Sequence, residues 1–182
     1  MDRRLPMCIV LDLDETLIHC ANSASSSNLI SFVISQTFNE RLLINVRPYF
    51  LQFLEFCVKE FDEIYVYTAG TESYAVPIME KLFGRNTLNG FWTREKCQLM
   101  SNNVIIKPLW DKTTARNTCL DQIYTLIIDD RGDVAESNFW AKNDKVRSLF
   151  NHYVITPFKS DPSDRGLLDA MIYIREWKKQ FC

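Results

Sequence analysis

The sequence predicts an α/β fold of the Rossmann-like type, in which helices flank a central parallel sheet. Three short apolar runs, Met7–Leu13, Ile64–Tyr67 and Thr125–Ile128, each end at polar residues, as strands buried on both faces do. Stretches with helical spacing lie between these runs, and a repeated strand and helix is typical of a parallel sheet. With 182 residues, 47% of them hydrophobic, one core is expected, so we predict a single domain over residues 1–182.

An inserted β-hairpin is predicted between the first strand and the first helix. The stretch Leu29–Val46 contains two apolar segments on either side of the polar pair Asn39-Glu40, a pattern that favours two short strands. An insertion at this point would overhang the carboxyl ends of the sheet strands, where ligands bind in α/β folds. We therefore expect the hairpin, at about residues 29–46, to border the functional site.

Three helices and a last strand complete the predicted fold. The first helix is predicted at Tyr49–Lys59, after Pro48, and the second at Ser73–Phe83, before Gly84. Proline is common at the start of a helix and glycine just after its end. The remaining predicted elements are a short strand at Val154–Ile155 and a closing helix at Arg165–Gln180, with Leu168, Met171, Ile172 and Ile174 facing inward.

Composition excludes several classes of function. The net charge of −2 and the pI of about 5.7 give no broad positive field, so no nucleic acid is expected as a ligand. Without an apolar run near the roughly 20 residues that span a bilayer, or an apolar signal core, we expect a soluble chain with no membrane contact. Six scattered cysteines favour reduced thiols and a nuclear or cytoplasmic location. Only two histidines are present, so any metal must be held by oxygens.

Two carboxylates follow the first predicted strand. Asp12 and Asp14 are two residues apart, so in an extended chain their side chains point to the same side. Neighbouring carboxyl groups push their pKa values apart, which suits one of them as a nucleophile and the other as an acid. The alternative interpretation is a helix cap or a solvated turn, because Asp and Thr are common in turns.

A second carboxylate pair, Asp129-Asp130, follows the third apolar run. It would lie beside the first pair if the two strands are neighbours. Mg²⁺ prefers carboxylates, carbonyls and water in octahedral geometry, and it usually leaves positions for phosphate oxygens. The four aspartates therefore predict a magnesium site, with a capping role for one aspartate of the second pair as the alternative.

One hydroxyl and one ammonium stand at corresponding positions. Thr68 follows an apolar strand, so its hydroxyl is suited to bond a phosphoryl oxygen, while Ala69 and Gly70 offer backbone N–H groups. A helix N-cap is the alternative for Thr68. Lys107 follows an apolar segment and would offset the charge of carboxylates and phosphate, although a lysine stem lying over apolar surface is more common.

Spacing excludes a cysteine-based phosphatase. His19-Cys20 begins the loop pattern His-Cys, five residues, Arg, but Ser26 stands where the arginine is required. The loop therefore lacks the guanidinium fork that would hold a phosphate group.

The order of these motifs resembles that of the haloacid dehalogenase (HAD) superfamily: DLDET at Asp12–Thr16, then Thr68, Lys107 and Asp129-Asp130. Within it, four segments are similar to the FCP/SCP-type phosphatases of the RNA polymerase II C-terminal domain, which share a NIF-like domain. These segments are DLDETLIH at Asp12–His19, Arg47-Pro48, YTAG at Tyr67–Gly70 and Arg94–Cys97. The resemblance runs from about Met7 to Trp177 and implies a HAD fold with a small hairpin in place of a large cap domain.

The resemblance also implies a role for each candidate residue. Asp12 would attack phosphorus, and Asp14 would protonate the leaving hydroxyl and then activate water. Mg²⁺ would be held by the Asp12 carboxylate, the Asp14 main-chain carbonyl and Asp130, with Asp129 nearby. The implied substrate-binding residues are Thr68, Ala69, Gly70, Arg94 and Lys107.

The implied substrate is a phosphorylated protein segment, with the polymerase C-terminal domain as the first candidate. Against this candidate, Asn22 and Thr71 stand where small family members carry apolar residues that receive a substrate proline. One alternative is a non-catalytic interaction module similar to mitochondrial translocase subunits, which would not need the chemical groups retained here. The other is a phosphatase of a small metabolite, which normally needs more burial than a site without a large cap provides.

Overall fold

The computed structural model describes residues 6–21, 28–37, 40–84, 86–100, 103–134 and 150–181. With strands numbered along the chain, the central sheet contains β1 (Met7–Leu11), β5 (Glu63–Tyr67), β6 (Gly90–Trp92), β9 (Tyr124–Asp129) and β10 (Phe150–Val154). Their order is β10-β9-β1-β5-β6, and all neighbours are parallel. The predicted α/β fold with a parallel sheet is confirmed.

Strand β1 lies at the centre of this sheet, and all five of its residues are buried. Its alternate side chains enter two cores: Met7 and Ile9 pack among the helices, whereas Cys8 and Val10 contact a smaller cluster on the other face. The prediction extended this strand to Leu13. It ends earlier because the chain turns, and the Leu13 carbonyl accepts a hydrogen bond from the Leu17 N–H at 2.8 Å.

The predicted insert is present, and it is larger than a hairpin. Strands β3 (Ser31–Thr37) and β4 (Glu40–Val46) form the expected antiparallel pair. A further strand, β2 (Ile18–Ala21), pairs with the other edge of β4 and was not predicted. Its four residues carry too short a pattern to indicate a strand. The long partner β4 supplies the hydrogen bonds that make it one.

Three helices of 11 to 13 residues flank the sheet in the described part of the chain, and a small hairpin precedes Lys107. The helices are α1 (Phe50–Glu60), α2 (Glu72–Phe83) and α3 (Gly166–Lys178), and the hairpin strands are β7 (Gln98–Leu99) and β8 (Ile105–Ile106). Helix bounds differ from the predicted ones by two residues at most. The last sheet strand ends at Val154, so the prediction of Val154–Ile155 caught only its final residue.

One predicted core residue of α3 is wrong. Ile172 is 58% exposed, and Leu168 is only partly buried. The buried residues of α3 follow the i, i+3, i+4, i+7 spacing of a single helix face. They are Leu167, Ala170, Met171, Ile174 and Trp177. Ile172 was predicted to face inward because it is hydrophobic, but it does not lie on this face of the helix.

Five of the six cysteines lie in the described part of the chain. Cys182 lies outside the described part of the chain, and the other five cysteines are free thiols: Cys8, Cys20, Cys57, Cys97 and Cys119. In the described ranges, no helix combines the length and apolar character that crossing a bilayer requires.

Candidate active site

The candidate residues meet at one edge of the sheet because parallel strands end on the same side. Strand β1 lies between β5 and β9, so Asp12, Thr68 and Asp129, at or just after the ends of these strands, become neighbours. The Asp12 N–H donates to the Ile128 carbonyl at 3.0 Å, which fixes the backbone of Asp12 against β9. Asp12 is 6% exposed, so the alternative of a solvated turn is wrong for this residue.

Lys107 connects two of the carboxylates. Its Nζ lies 2.5 Å from Asp12 Oδ1 and 2.7 Å from Asp129 Oδ2, and its side chain is 5% exposed. Burial lowers the pKa of Lys107, but the two carboxylates raise it more, so the group stays charged. The alternative of a lysine stem over apolar surface is therefore wrong, because the ammonium itself is buried.

The carboxylates of Asp12, Asp129 and Asp130 form a group suited to a divalent cation. Oxygen atoms of these three residues lie within 4.8 Å of one another, and hard cations such as Mg²⁺ bind carboxylate oxygens. Burial and the adjacent Asp129 carboxylate raise the pKa of Asp130 to about 6. Burial also raises the pKa of Asp12, against the opposing charge of Lys107. Three carboxylates share one ammonium, that of Lys107, so the cluster keeps excess negative charge that a divalent cation fits.

The two aspartates of the second pair have different surroundings. Asp129 accepts from Lys107 through Oδ2 and from the Arg131 N–H through Oδ1, the latter at 2.9 Å. Both of its oxygens are thus engaged, one of them in the local capping contact considered as an alternative. The Asp130 side chain instead lines the cavity above the strand ends. Asp130 is therefore the member of the pair better placed to hold a metal ion.

Asp14 lies beside Asp12 on the same cavity, as their spacing predicted. Its Oδ1 accepts a hydrogen bond from the Tyr74 hydroxyl of α2. Burial raises the pKa of Asp14, and the hydrogen bonds of Tyr74 and Thr68 offset part of that rise. Tyr74 was not predicted as a site residue. Tyr74 lies six positions after Thr68. Its place at the site becomes clear only when α2 is known to begin directly after Thr71.

Thr68 is fully buried, and it is not among the residues that line the cavity. Its Oγ1 accepts the Gly70 N–H at 2.9 Å, so this N–H, expected to face a phosphate, is committed to Thr68. The N-cap of α2 is Thr71, and the N-cap alternative for Thr68 is therefore wrong. Ala69 and Gly70 line the cavity as expected.

Two arginines stand at the wall of the cavity, which has a volume of about 530 Å³. Exposed Arg94 donates from Nε to the Ala69 carbonyl at 2.6 Å, which anchors it beside the strand end of Thr68. Arg131, absent from the predicted site, is ion-paired with Asp133. Predicted Arg94 and unpredicted Arg131 thus lie on the same cavity. Of the two polar residues noted for substrate choice, Thr71 lines the cavity, and Asn22 lies outside the described residues.

A buried arginine holds the loop that carries Asp14. Arg47 is 1% exposed and donates to the carbonyls of Thr16 and Thr156 at 2.9 and 2.7 Å. It also pairs with both carboxylate oxygens of Asp164, at 2.6 and 2.9 Å. Arg47 of the Arg47-Pro48 motif thus fixes the backbone at Thr16, in the loop that carries Asp14.

The family model of the NLI interacting factor-like phosphatases matches residues 7–181. CTD small phosphatase-like protein 1 of Caenorhabditis elegans is 31% identical over 165 residues, 90% of this chain and 30% of that protein. An RNA polymerase II C-terminal domain phosphatase of Encephalitozoon cuniculi is 31% identical over 137 residues, 74% of this chain and 30% of that protein. The chain thus spans about 30% of the length of these relatives.

A solved structure of Fcp1, an essential RNA polymerase II CTD phosphatase, resembles the chain with a TM-score of 0.55 and 20% identity. The match covers 97% of this chain and 50% of that one. At this identity the likeness concerns the fold, and it supports the HAD-like α/β fold expected from the motifs. Since the family model covers nearly the whole sequence, the chain belongs to the NLI interacting factor-like phosphatase family.

Proposed function

We propose that the chain is a magnesium-dependent protein-serine/threonine phosphatase that works through an aspartyl-phosphate intermediate on Asp12. The main support is the buried ammonium of Lys107, held between the carboxylates of Asp12 and Asp129. A buried cation at an acidic strand end is suited to neutralise a phosphoryl group that reacts there. An interaction module of the same fold would have no need of this arrangement.

In the proposed reaction, a carboxylate oxygen of Asp12 attacks phosphorus, and the bond from phosphorus to the serine or threonine oxygen breaks. Asp14 gives its proton to that leaving oxygen, so the product is a neutral hydroxyl. Asp14 then takes a proton from water, whose oxygen attacks phosphorus and breaks the bond to Asp12. Phosphate leaves, and Asp14 is protonated again. The acyl phosphate divides one difficult displacement into two easier ones.

The other residues bind and neutralise charge. Lys107 offsets the charge on the phosphoryl oxygens, and Thr68 and Arg94 orient the phosphate or the segment that carries it. The Asp12 carboxylate, the Asp14 carbonyl and Asp130 would hold Mg²⁺, with Asp129 nearby. The bound ion would supply positive charge to the phosphoryl oxygens.

The proposed substrate is a phosphorylated protein segment, with the RNA polymerase II C-terminal domain as the first candidate. Two of the similar proteins are named as phosphatases of that domain, and this substrate would place the reaction in the nucleus. Thr71 at the cavity is polar, so we expect no apolar contact with a substrate proline there. Initial rates on polymerase-tail phosphoserine peptides and on unrelated phosphoserine peptides test the substrate, and equal rates would contradict the polymerase preference.

The chemistry is tested with a generic aryl phosphate and purified variants. We expect turnover that needs Mg²⁺, stops with a chelator, and falls by about 10⁴-fold or more in Asp12→Asn, as for loss of a nucleophile. Asp14→Asn should also be severely impaired. Asp169→Asn, an exposed carboxylate on α3, is the matched control and should keep its activity. Undiminished turnover in Asp12→Asn would refute the nucleophile, and an inactive wild type would favour the interaction module.

A further inference from the structure

The hydrogen bond between Tyr74 and Asp14 joins α2 to the loop that follows β1. The Tyr74 hydroxyl donates to Asp14 Oδ1, and these residues are 60 positions apart in sequence. Both line the cavity at the strand ends. The contact therefore lies within the site, and it fixes one chosen oxygen of the Asp14 carboxyl group.

The backbone is shaped so that the Tyr74 ring reaches this position. A Cβ placed on Gly70 would lie 2.7 Å from Cδ1 of the Tyr74 ring, which is closer than carbon atoms approach without displacement. Glycine at position 70 thus leaves the space that the ring occupies. Because Gly70 also donates its N–H to Thr68, the turn that follows β5 positions both Thr68 and Tyr74.

A general acid needs a fixed orientation as well as a suitable position. The terminal torsion of an aspartate is broad, so its carboxyl group rotates unless a partner holds it. The donor on Oδ1, with the hydrogen bond of Thr68 beside it, prevents the two carboxyl oxygens from exchanging places, so the acidic proton keeps a fixed direction. Proton transfer requires a heavy-atom separation of about 2.6–3.2 Å, so orientation of the carboxyl group decides whether the proton reaches the leaving oxygen.

We propose that Tyr74 is a positioning residue that aims the Asp14 carboxyl group at the leaving oxygen of the substrate. This inference rests on the proposed function, in which Asp14 is the acid. It makes Tyr74 important for substrates whose leaving group must be protonated, such as phosphoserine. It makes Tyr74 unimportant for an aryl phosphate that leaves as a stable anion. A ring that merely packs against Gly70 would not discriminate between these substrates.

The test compares kcat/KM of wild type and Tyr74→Phe for 4-nitrophenyl phosphate and for a phosphoserine peptide. This ratio reports the steps up to cleavage of the substrate bond, before water attacks. We expect Tyr74→Phe to lower the value for the peptide by about 10- to 100-fold, a share of the 10²–10⁴ that acid catalysis supplies. The value for 4-nitrophenyl phosphate should change by less than about twofold, since that leaving group needs no acid.

Two further variants make the result specific. Tyr173 lies on helix α3, and its hydroxyl donates to Asn151 Oδ1 of β10 at 3.1 Å. Tyr173→Phe removes this hydroxyl and should change kcat/KM for neither substrate. In the Asp14→Asn background, adding Tyr74→Phe should produce no further loss with the peptide, because the two changes act on one group. Thermal unfolding of each variant shows whether its fold is retained.

The outcomes separate this inference from the proposed function. An equal loss on both substrates, or no loss on either, in a wild type whose turnover depends on Asp12, overturns the role of Tyr74 alone. A loss confined to the phosphoserine peptide supports it. Absence of Asp12-dependent turnover overturns the proposed function, and the role of Tyr74 with it.

Discussion

Replacing Arg47 by lysine should destabilise the fold strongly, although the charge is kept. The Arg47 guanidinium is buried and donates to both oxygens of Asp164 and to the carbonyls of Thr16 and Thr156. A lysine ammonium is a point charge whose three donors cannot reproduce the planar fork. Losing two charge-assisted hydrogen bonds at about 1.5–3 kcal/mol each lowers the free energy of unfolding by about 3–6 kcal/mol. This overlaps the range of about 3–5 kcal/mol for a broken buried pair.

Urea unfolding followed by tryptophan fluorescence measures this change. The matched control is Arg41→Lys, an exposed arginine on β4, which should shift the free energy of unfolding by at most about 0.5 kcal/mol. Asp164→Asn, which keeps the shape of the acceptor, should destabilise less than Arg47→Lys. If Arg47→Lys stays within about 1 kcal/mol of wild type, the size of a typical single substitution, the hydrogen bonds of Arg47 do not carry the stability assigned to them.

Three other substitutions test separate contacts. Gly166→Ala should destabilise by about 1–3 kcal/mol in urea, because its Cβ would overlap Arg47 Nη2; unchanged stability would contradict that close approach. Lys107→Met should lower stability at pH 7 by about 3–5 kcal/mol, because two buried carboxylates lose their cation; equal urea midpoints for variant and wild type would contradict it. Burial lowers the pKa of His152, so stability should fall as pH drops below the unfolded value of about 6.5. In His152→Phe that part of the pH dependence should disappear from unfolding curves between about pH 5 and 8, and its persistence would assign it to other groups.

The sequence predicted the site residues whose placement depends on local pattern. Asp12, Thr68 and Asp129 each stand at or beside the end of a buried strand, and parallel pairing brings strand ends together whatever the details of packing. Lys107 follows a two-residue strand of a small hairpin. It was predicted as a site residue mainly because of its place in the order of the motifs. The N-cap alternative for Thr68 and the surface-stem alternative for Lys107 were wrong because both considered only the neighbouring sequence. Residue statistics do not include the hydrogen-bonding partners that the fold brings near.

Features that depend on side-chain orientation were not predictable from the sequence. The hydroxyl of Tyr74 reaches Asp14 only through the packing of its ring on Gly70, and no short motif encodes such a contact. The use of the Gly70 N–H by Thr68 likewise depends on the turn between them. Strand β2 exists because a longer neighbour pairs with it, and Ile172 faces solvent because the register of the helix outweighs its hydrophobicity.

The charges gathered at the sheet edge explain why the proposed chemistry needs a divalent cation. Asp12, Asp129 and Asp130 place three carboxylates within 4.8 Å, and the ammonium of Lys107 offsets one of them. A phosphate group entering this cluster would add like charge at a distance where carboxylates already raise one another's pKa. A divalent cation held by these carboxylate oxygens would offset the excess negative charge while Lys107 keeps its contacts with Asp12 and Asp129. The proposed metal requirement thus follows from the carboxylates at two strand ends and one lysine, whichever phosphorylated protein is the proposed substrate.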